Sequence, residues 1–118
     1  MCEDFNMQKG KPDIPIAEME ANAEAASRLL ATLSNPKRLM ALCHLLDGEM
    51  PVNRLAEKIG LAPATLSQHL ARMRDLQLVA TRRDGQTIHY RLASPAVRAI
   101  LETLYALYCA APETKSRR

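Results

Sequence analysis

Aromatic residues are almost missing from this chain: no tryptophan, one phenylalanine and three tyrosines among 118 residues. With 47% hydrophobic residues, the core has to be packed from leucine, alanine and methionine, which suits a small helical protein. No apolar run approaches the length of a membrane span, which excludes a bilayer helix. The first residues are acidic and polar and lack the hydrophobic stretch of a secretory signal, so the expected location is cytoplasmic. Internal repeats and low-complexity tracts are absent. The three cysteines, Cys2, Cys43 and Cys109, include no Cys-x-x-Cys, which leaves a thiol enzyme of the peroxidase or sulfurtransferase kind weakly supported. The length predicts one domain with a modest core.

The most specific pattern lies in residues 61–92, LAPATLSQHLARMRDLQLVATRRDGQTIHYRL. Leu66, Leu70 and Met73 recur at i, i+4 and i+7 and predict the buried side of a helix. The opposite side carries Ala64, Gln68, Ala71 and Arg72, flanked by Thr65 and Ser67. Such a face has little bulk at its start, then an amide for a base edge, then a cation for phosphate, which are the needs of a helix in the major groove. In isolation it would read as a solvated surface. After Leu76, however, the period becomes two: Ile88, Tyr90 and Leu92 alternate with Thr87, His89 and Arg91. Val79 to Arg83 supplies the partner strand. Asp84-Gly85 predicts a tight hairpin turn with positive φ at both of its central residues. Arg82 and Arg83 precede the tip and Gln86 follows it. A polar-faced helix joined to a cation-tipped hairpin is the arrangement of a winged helix on duplex DNA, with the helix reading bases and the wing reaching the backbone or minor groove.

Charge placement agrees. The whole chain is only +3, but residues 63–98 hold six arginines (Arg72, Arg74, Arg82, Arg83, Arg91, Arg98) against Asp75 and Asp84, a net of +4. Residues 1–31 hold six acids against Lys9, Lys11 and Arg28, a net of −3. The positive field therefore sits where phosphates would be neutralised, although Arg74 and Arg98 read as ordinary solvated surface.

A helical frame surrounds this head. Residues 1–15 hold Gly10, Pro12 and Pro15 and read as a flexible arm; residues 16–110 form the DNA-binding and dimerisation domain; residues 111–118 read as a disordered tail. Met19, Ala23, Ala26, Leu30 and Leu33 form the stripe of a first helix. Asn35 caps a second, with Pro36 at its first position, and Leu39, Leu42, Cys43 and Leu46 mark its buried side. Val52, Leu55, Ala56 and Ile59 make a short third helix that Gly60 stops. With the fourth helix, opened near Pro63, it forms a helix-turn-helix. Ser94 and Pro95 open a last helix with the stripe Val97, Leu101, Leu104 and Tyr108, widened by Ile100 and Tyr105. That stripe, with Ala99, Ala106 and Leu107 on its flank, is broader than one packing surface needs. It predicts a homodimer through the last and first helices, reading two half-sites roughly 34–36 Å apart.

The segments LSNPKRLMALCHLL, IGLAPATLSQHLARMRDLQLVATRRDGQTIHYRL and LYALYCA resemble the ArsR/SmtB family of bacterial winged-helix repressors over about residues 25–110. The resemblance implies a mainly α homodimer of order α-α-α-α-β-β-α that blocks a promoter until an inducer binds. By position, Thr65, Ser67, Gln68, His69 and Arg72 would lie in the recognition helix, and Arg82, Arg83 and Gln86 in the wing. The family's metal-sensing sites have no counterpart: EMPVNRLAEKIG lacks a Cys-x-Cys, and residues 95–109 offer only Glu102 where Asp, His and Glu are needed. His44, His69 and His89 fall on three elements and read as surface or groove residues. No cofactor or metal is expected. Cys43 and Cys109 remain, both expected to be buried, and buried thiols in a cytoplasmic protein usually act as small hydrophobes. The pairing of ALC with LYC is, however, similar to the BigR/SqrR branch, whose members sense persulfides. It implies that Cys43 and Cys109 become joined by a disulfide or polysulfide bridge. Arsenite, another soft metal, or peroxide acting on the same thiols remain alternatives, and Cys2 reads as incidental.

Overall fold

The computed structural model describes residues 14–109. Most of the expected arm, the expected tail and Cys2 lie outside the described residues. The chain divides into two compact units, which within that range are residues 14–31 and residues 32–109.

Helix α1 (Ile16–Leu33) makes up nearly all of the first unit and ends inside the second. Of its expected stripe, Leu33 is buried, whereas Met19 and Leu30 are exposed, as is Ile16. Periodicity placed these residues on one face correctly, but in the single chain that face is largely bare.

The second unit follows its local signals closely. Helix α2 (Pro36–Leu45) starts where Asn35 Oδ1 accepts from the backbone N–H groups of Lys37 and Arg38 at 2.9 and 3.0 Å, meeting two of the orphan donors of the first turn. Strand β1 (Met50–Pro51) leads directly into helix α3 (Val52–Ile59). Gly60, at φ 73°, takes the left-handed conformation that lets its N–H close back on the Ala56 carbonyl at 2.9 Å. Helix α4 (Pro63–Asp75) ends without a glycine. Gln77 adopts φ 64° and donates to the Arg74 carbonyl, and Leu78 donates to that of Met73, both at 2.9 Å. These two bonds make a Schellman motif, with Leu78 and Met73 buried beneath it. Strands β2 (Val79–Asp84) and β3 (Thr87–Leu92) form the wing, and helix α5 (Pro95–Tyr108) starts where Ser94 Oγ accepts from the Val97 N–H at 3.1 Å.

Two details correct the sequence reading. The sheet has three antiparallel strands in the order β1-β3-β2, because Met50 and Pro51 pair with Tyr90 and His89. A strand of two residues carries no alternation, so nothing in the sequence announces it. The wing register pairs Asp84 with Thr87, which makes Gly85 and Gln86 the loop, one residue later than Asp84-Gly85. Gly85 has φ 67°, while neither Asp84 nor Gln86 is among the positive-φ residues. A positive φ at the first loop position alone is the pattern of a type II′ turn and not the expected I′.

The α4 stripe is buried as its periodicity requires, whereas in α2 the buried side runs through Ala41, Leu42 and Leu45, with Leu39, Cys43 and Leu46 of the expected stripe only half-buried. Leu42 and Leu45 of α2, Leu55 of α3, Leu66, Leu70 and Met73 of α4, and Val97 of α5 are fully buried. Truncating one of them removes transfer energy and leaves a cavity beneath the reading helix. Leu70→Ala is expected to cost about 2–5 kcal/mol, a large share of the roughly 5–15 kcal/mol typical of a domain. A denaturant midpoint that moves by less than the equivalent of 1 kcal/mol would contradict that placement.

Candidate functional site

The outer face of α4 is as the sequence suggests. Thr65, Ser67, Gln68 and Arg72 are exposed, along with Ala64 and Ala71. The fully buried Leu66, Leu70 and Met73 hold the helix from behind. Because the anchoring stripe and the polar face belong to the same 13-residue helix, packing fixes which side chains can meet a groove. Lys37 secures the helix-turn-helix from α2: its Nζ donates to the Ile59 carbonyl at 2.8 Å, meeting a backbone acceptor at the C-terminal end of α3.

His69 does not share the outer face. It is half-buried, and its Nδ1 lies 3.4 Å from Arg38 Nη1. Arg38 also donates from Nε to the Thr32 carbonyl at 2.8 Å. At 100° per residue His69 projects next to Met73, toward the edge of the packed side, so a contact with the rest of the fold competes with its expected place among the groove residues.

The wing is also less uniform than its sequence. Arg82, Arg83 and Gln86 are all exposed, but Arg82 is already engaged. Its Nη2 lies 2.6 Å from Glu49 Oε1, and its Nε lies 3.0 and 3.2 Å from the two carboxylate oxygens. These bonds from Arg82 hold the Glu49 carboxyl below the usual carboxylate range, helped by the nearby charges of His89 and Arg91. Sequence reasoning missed Glu49 because its partner is 33 residues away. Arg83 makes only a long 3.4 Å approach from Nη1 to the Gly85 carbonyl, leaving its charge at the tip beside Gln86.

The thiols depart from expectation. Cys43 is half-buried and Cys109 is exposed, whereas both were expected inside. Cys109 is the residue that caps the end of α5. Burial pushes the Cys43 thiol up, and the charge of a Cys109 thiolate pushes it up further. Among the described residues, no three His, Cys, Asp or Glu side chains are grouped as metal ligands, and no helix is long and apolar enough to cross a membrane.

Known proteins match this arrangement. The family described as "Bacterial regulatory protein, arsR family" matches residues 35–81, which run from the cap of α2 into β2. The chain is 45% identical to the transcriptional activator HlyU of Vibrio cholerae, across 87% of this chain and 94% of that protein. The crystal structure of the transcriptional repressor BigR from Xylella fastidiosa superposes with a TM-score of 0.76 at 39% identity, covering 82% of this chain and 99% of that one. The homodimeric winged helix-turn-helix DNA-binding domain Mb0332 from Mycobacterium bovis superposes with a TM-score of 0.68 at 27% identity, covering 85% and 89%. A winged helix-turn-helix with a polar-faced fourth helix, matched nearly end to end by named regulators, leaves no role for an enzyme. The chain belongs to the arsR family of bacterial regulatory proteins, in its BigR-like branch, and is a DNA-binding transcriptional regulator.

Proposed function

We propose that the chain is a homodimeric, cytoplasmic repressor that leaves its operator when reactive sulfur joins Cys43 to Cys109. The observation that supports this reading is an exposed thiol at the end of α5 and a half-buried one on α2, with the charge of Cys109 raising the Cys43 thiol. The chemistry balances without an added oxidant. The exposed Cys109 thiolate attacks the outer sulfur of a small persulfide, R–S–SH, forming Cys109–S–SH and releasing R–S⁻. The Cys43 thiolate, formed by proton loss to water, then attacks Sγ of Cys109. A disulfide forms and HS⁻ leaves. Insertion of further sulfur atoms would give a polysulfide bridge that spans a longer gap than the roughly 4.4–6.8 Å between Cα atoms in a simple disulfide. Genes for sulfide oxidation and detoxification are the natural targets of such a sensor.

Base reading is assigned to Thr65, Ser67, Gln68 and Arg72, with His69 at their edge. Backbone contact is assigned to Arg83 and Gln86, with Arg82 behind them. A phosphate contact weakens binding to every sequence alike. Arg83→Ala is accordingly expected to lower affinity for operator and random duplexes together and to flatten the dependence of log K on log salt by about 0.9. An unchanged slope would remove Arg83 from the interface.

Dimerisation is supported by apolar side chains without cover. Tyr105, Leu107 and Tyr108 on the last turns of α5 are exposed, as are Met19 and Leu30 on α1. Apolar side chains clustered on the last turns of α5 mark an association surface, and the similar Mb0332 domain is homodimeric.

The deciding experiment follows intact mass and DNA binding together on reduced protein exposed to a persulfide donor, peroxide or arsenite. The expected result is a sulfur-linked Cys43–Cys109 species and loss of operator binding after the persulfide donor alone. Release by arsenite or peroxide alone would replace the inducer. No release under any treatment would reduce the thiols to packing groups.

A further inference from the structure

Glu49 sits immediately before β1, and its carboxylate occupies the guanidinium fork of Arg82 through contacts of 2.6, 3.0 and 3.2 Å. The register explains how the two meet. Arg82 on β2 is paired with His89 on β3, and His89 is paired with Pro51 on β1. The arginine therefore reaches across the central strand to the residue that leads into the far one. Both side chains are exposed, so the pair contributes little to folding. Its effect is on availability. A bidentate carboxylate matches the guanidinium as well as a phosphate does, so Arg82 must give up a good partner before it can take up a DNA oxygen. Arg83 and Gln86, nearer the turn, carry no such restraint.

We propose that Glu49 is a specificity-determining residue, which withholds Arg82 from the phosphate backbone and so limits binding to DNA of arbitrary sequence. Non-specific affinity comes almost wholly from neutralised phosphates. In the specific complex the register is set by base contacts from α4, and one further cation set back from the wing tip adds less. Masking Arg82 thus costs the non-specific mode more than the specific one, and the ratio between them rises.

The test measures binding to a random-sequence duplex and to operator DNA across a salt series, using the full chain. Glu49→Ala is expected to bind the random duplex several-fold more tightly at low salt. Its salt slope should steepen by about 0.9, so that affinity falls about 3.5-fold further between 50 and 200 mM salt than in the parent. Operator affinity should rise less. Arg82→Gln alone should leave the slope unchanged, and adding it to Glu49→Ala should return the slope to the parent value. The proposal is overturned if Glu49→Ala leaves slope and affinity unaltered, or if the double variant keeps the gain, which would assign the effect to repulsion by Glu49 itself. Arg83→Gln is the control: if it too leaves the slope unchanged, the wing does not reach phosphate, and the DNA-contact assignment fails independently of Glu49.

Discussion

Cys109→Ser protein is expected to hold operator DNA as tightly as the parent and to remain bound when a persulfide donor displaces the parent. Neither thiol belongs to the outer face of α4 or to the wing, so binding should survive; only the response should go. The expected effect is large. Taking an operator from about 99% to about 1% occupancy requires roughly 5.5 kcal/mol of difference in affinity between the two forms. A covalent link can supply it because it ties α2, joined to the helix-turn-helix by Lys37 and Ile59, to the helix that carries the proposed dimer face. Cys43→Ser should behave differently at the level of chemistry. It should accumulate a persulfide on Cys109 that has lost its proposed partner at position 43, seen as the mass of one added sulfur without release. The order of events also has a pH signature. The Cys43 thiol is pushed up by burial and by Cys109, so at neutral pH it is thiolate less often than a free cysteine. Alkylation of Cys43 should lag that of the exposed Cys109. Its rate should still be climbing at a pH where an ordinary thiol has levelled off. Release of the Cys109→Ser protein by persulfide, or faster alkylation of Cys43, would sink this scheme.

What could be read from the sequence, and what could not, divides along sequence distance. Asn35, Gly60 and Ser94 act within a few residues of themselves, and each does in the structure what its type and position required. The stripe Leu66, Leu70, Met73 worked for the same reason, since one helix wheel determines which side chains share a face. The alternation from Thr87 to Leu92 likewise marked β3. The misses lie elsewhere. Met50–Pro51 becomes a strand only because Tyr90 and His89 pass beside it. Gln77 takes a left-handed conformation that a glycine would have advertised. Arg82 is held by Glu49 where its neighbour Arg83 is not, and His69 meets Arg38 at the edge of the α4 face, contacts that no local pattern announces. Of the candidate site, therefore, the α4 face and the wing tip were legible, while the division of the arginines into held and unheld was not. For the thiols, the exposure of Cys109 at the end of α5 is the part that no local pattern announced.

Replacing Tyr105 by glutamate is expected to halve the particle mass in solution and to weaken operator binding by about 10²-fold or more. The argument starts from the way α5 is buried. Val97 and Leu101 in its first half are buried; Leu104 is half-buried; Tyr105, Leu107 and Tyr108 beyond it are exposed by 61%, 60% and 82%. The apolar arc continues along the helix after its cover has ended. A second copy offering the same turns would bury that arc on both sides at once, as the two-fold symmetry of a homodimer requires. A charge at position 105 would have to be desolvated in that interface, yet it costs little in a single chain where the position already faces water. Loss of the dimer uncouples two reading heads, so each must find its half-site independently, and the gain from linking them disappears. Affinity for a duplex carrying one half-site should hardly change, which separates a lost dimer from a damaged α4. A Tyr105→Glu protein that keeps the mass of two chains and its operator affinity would place the dimer face elsewhere, and with it the route by which a Cys43–Cys109 link could turn one reading head against the other.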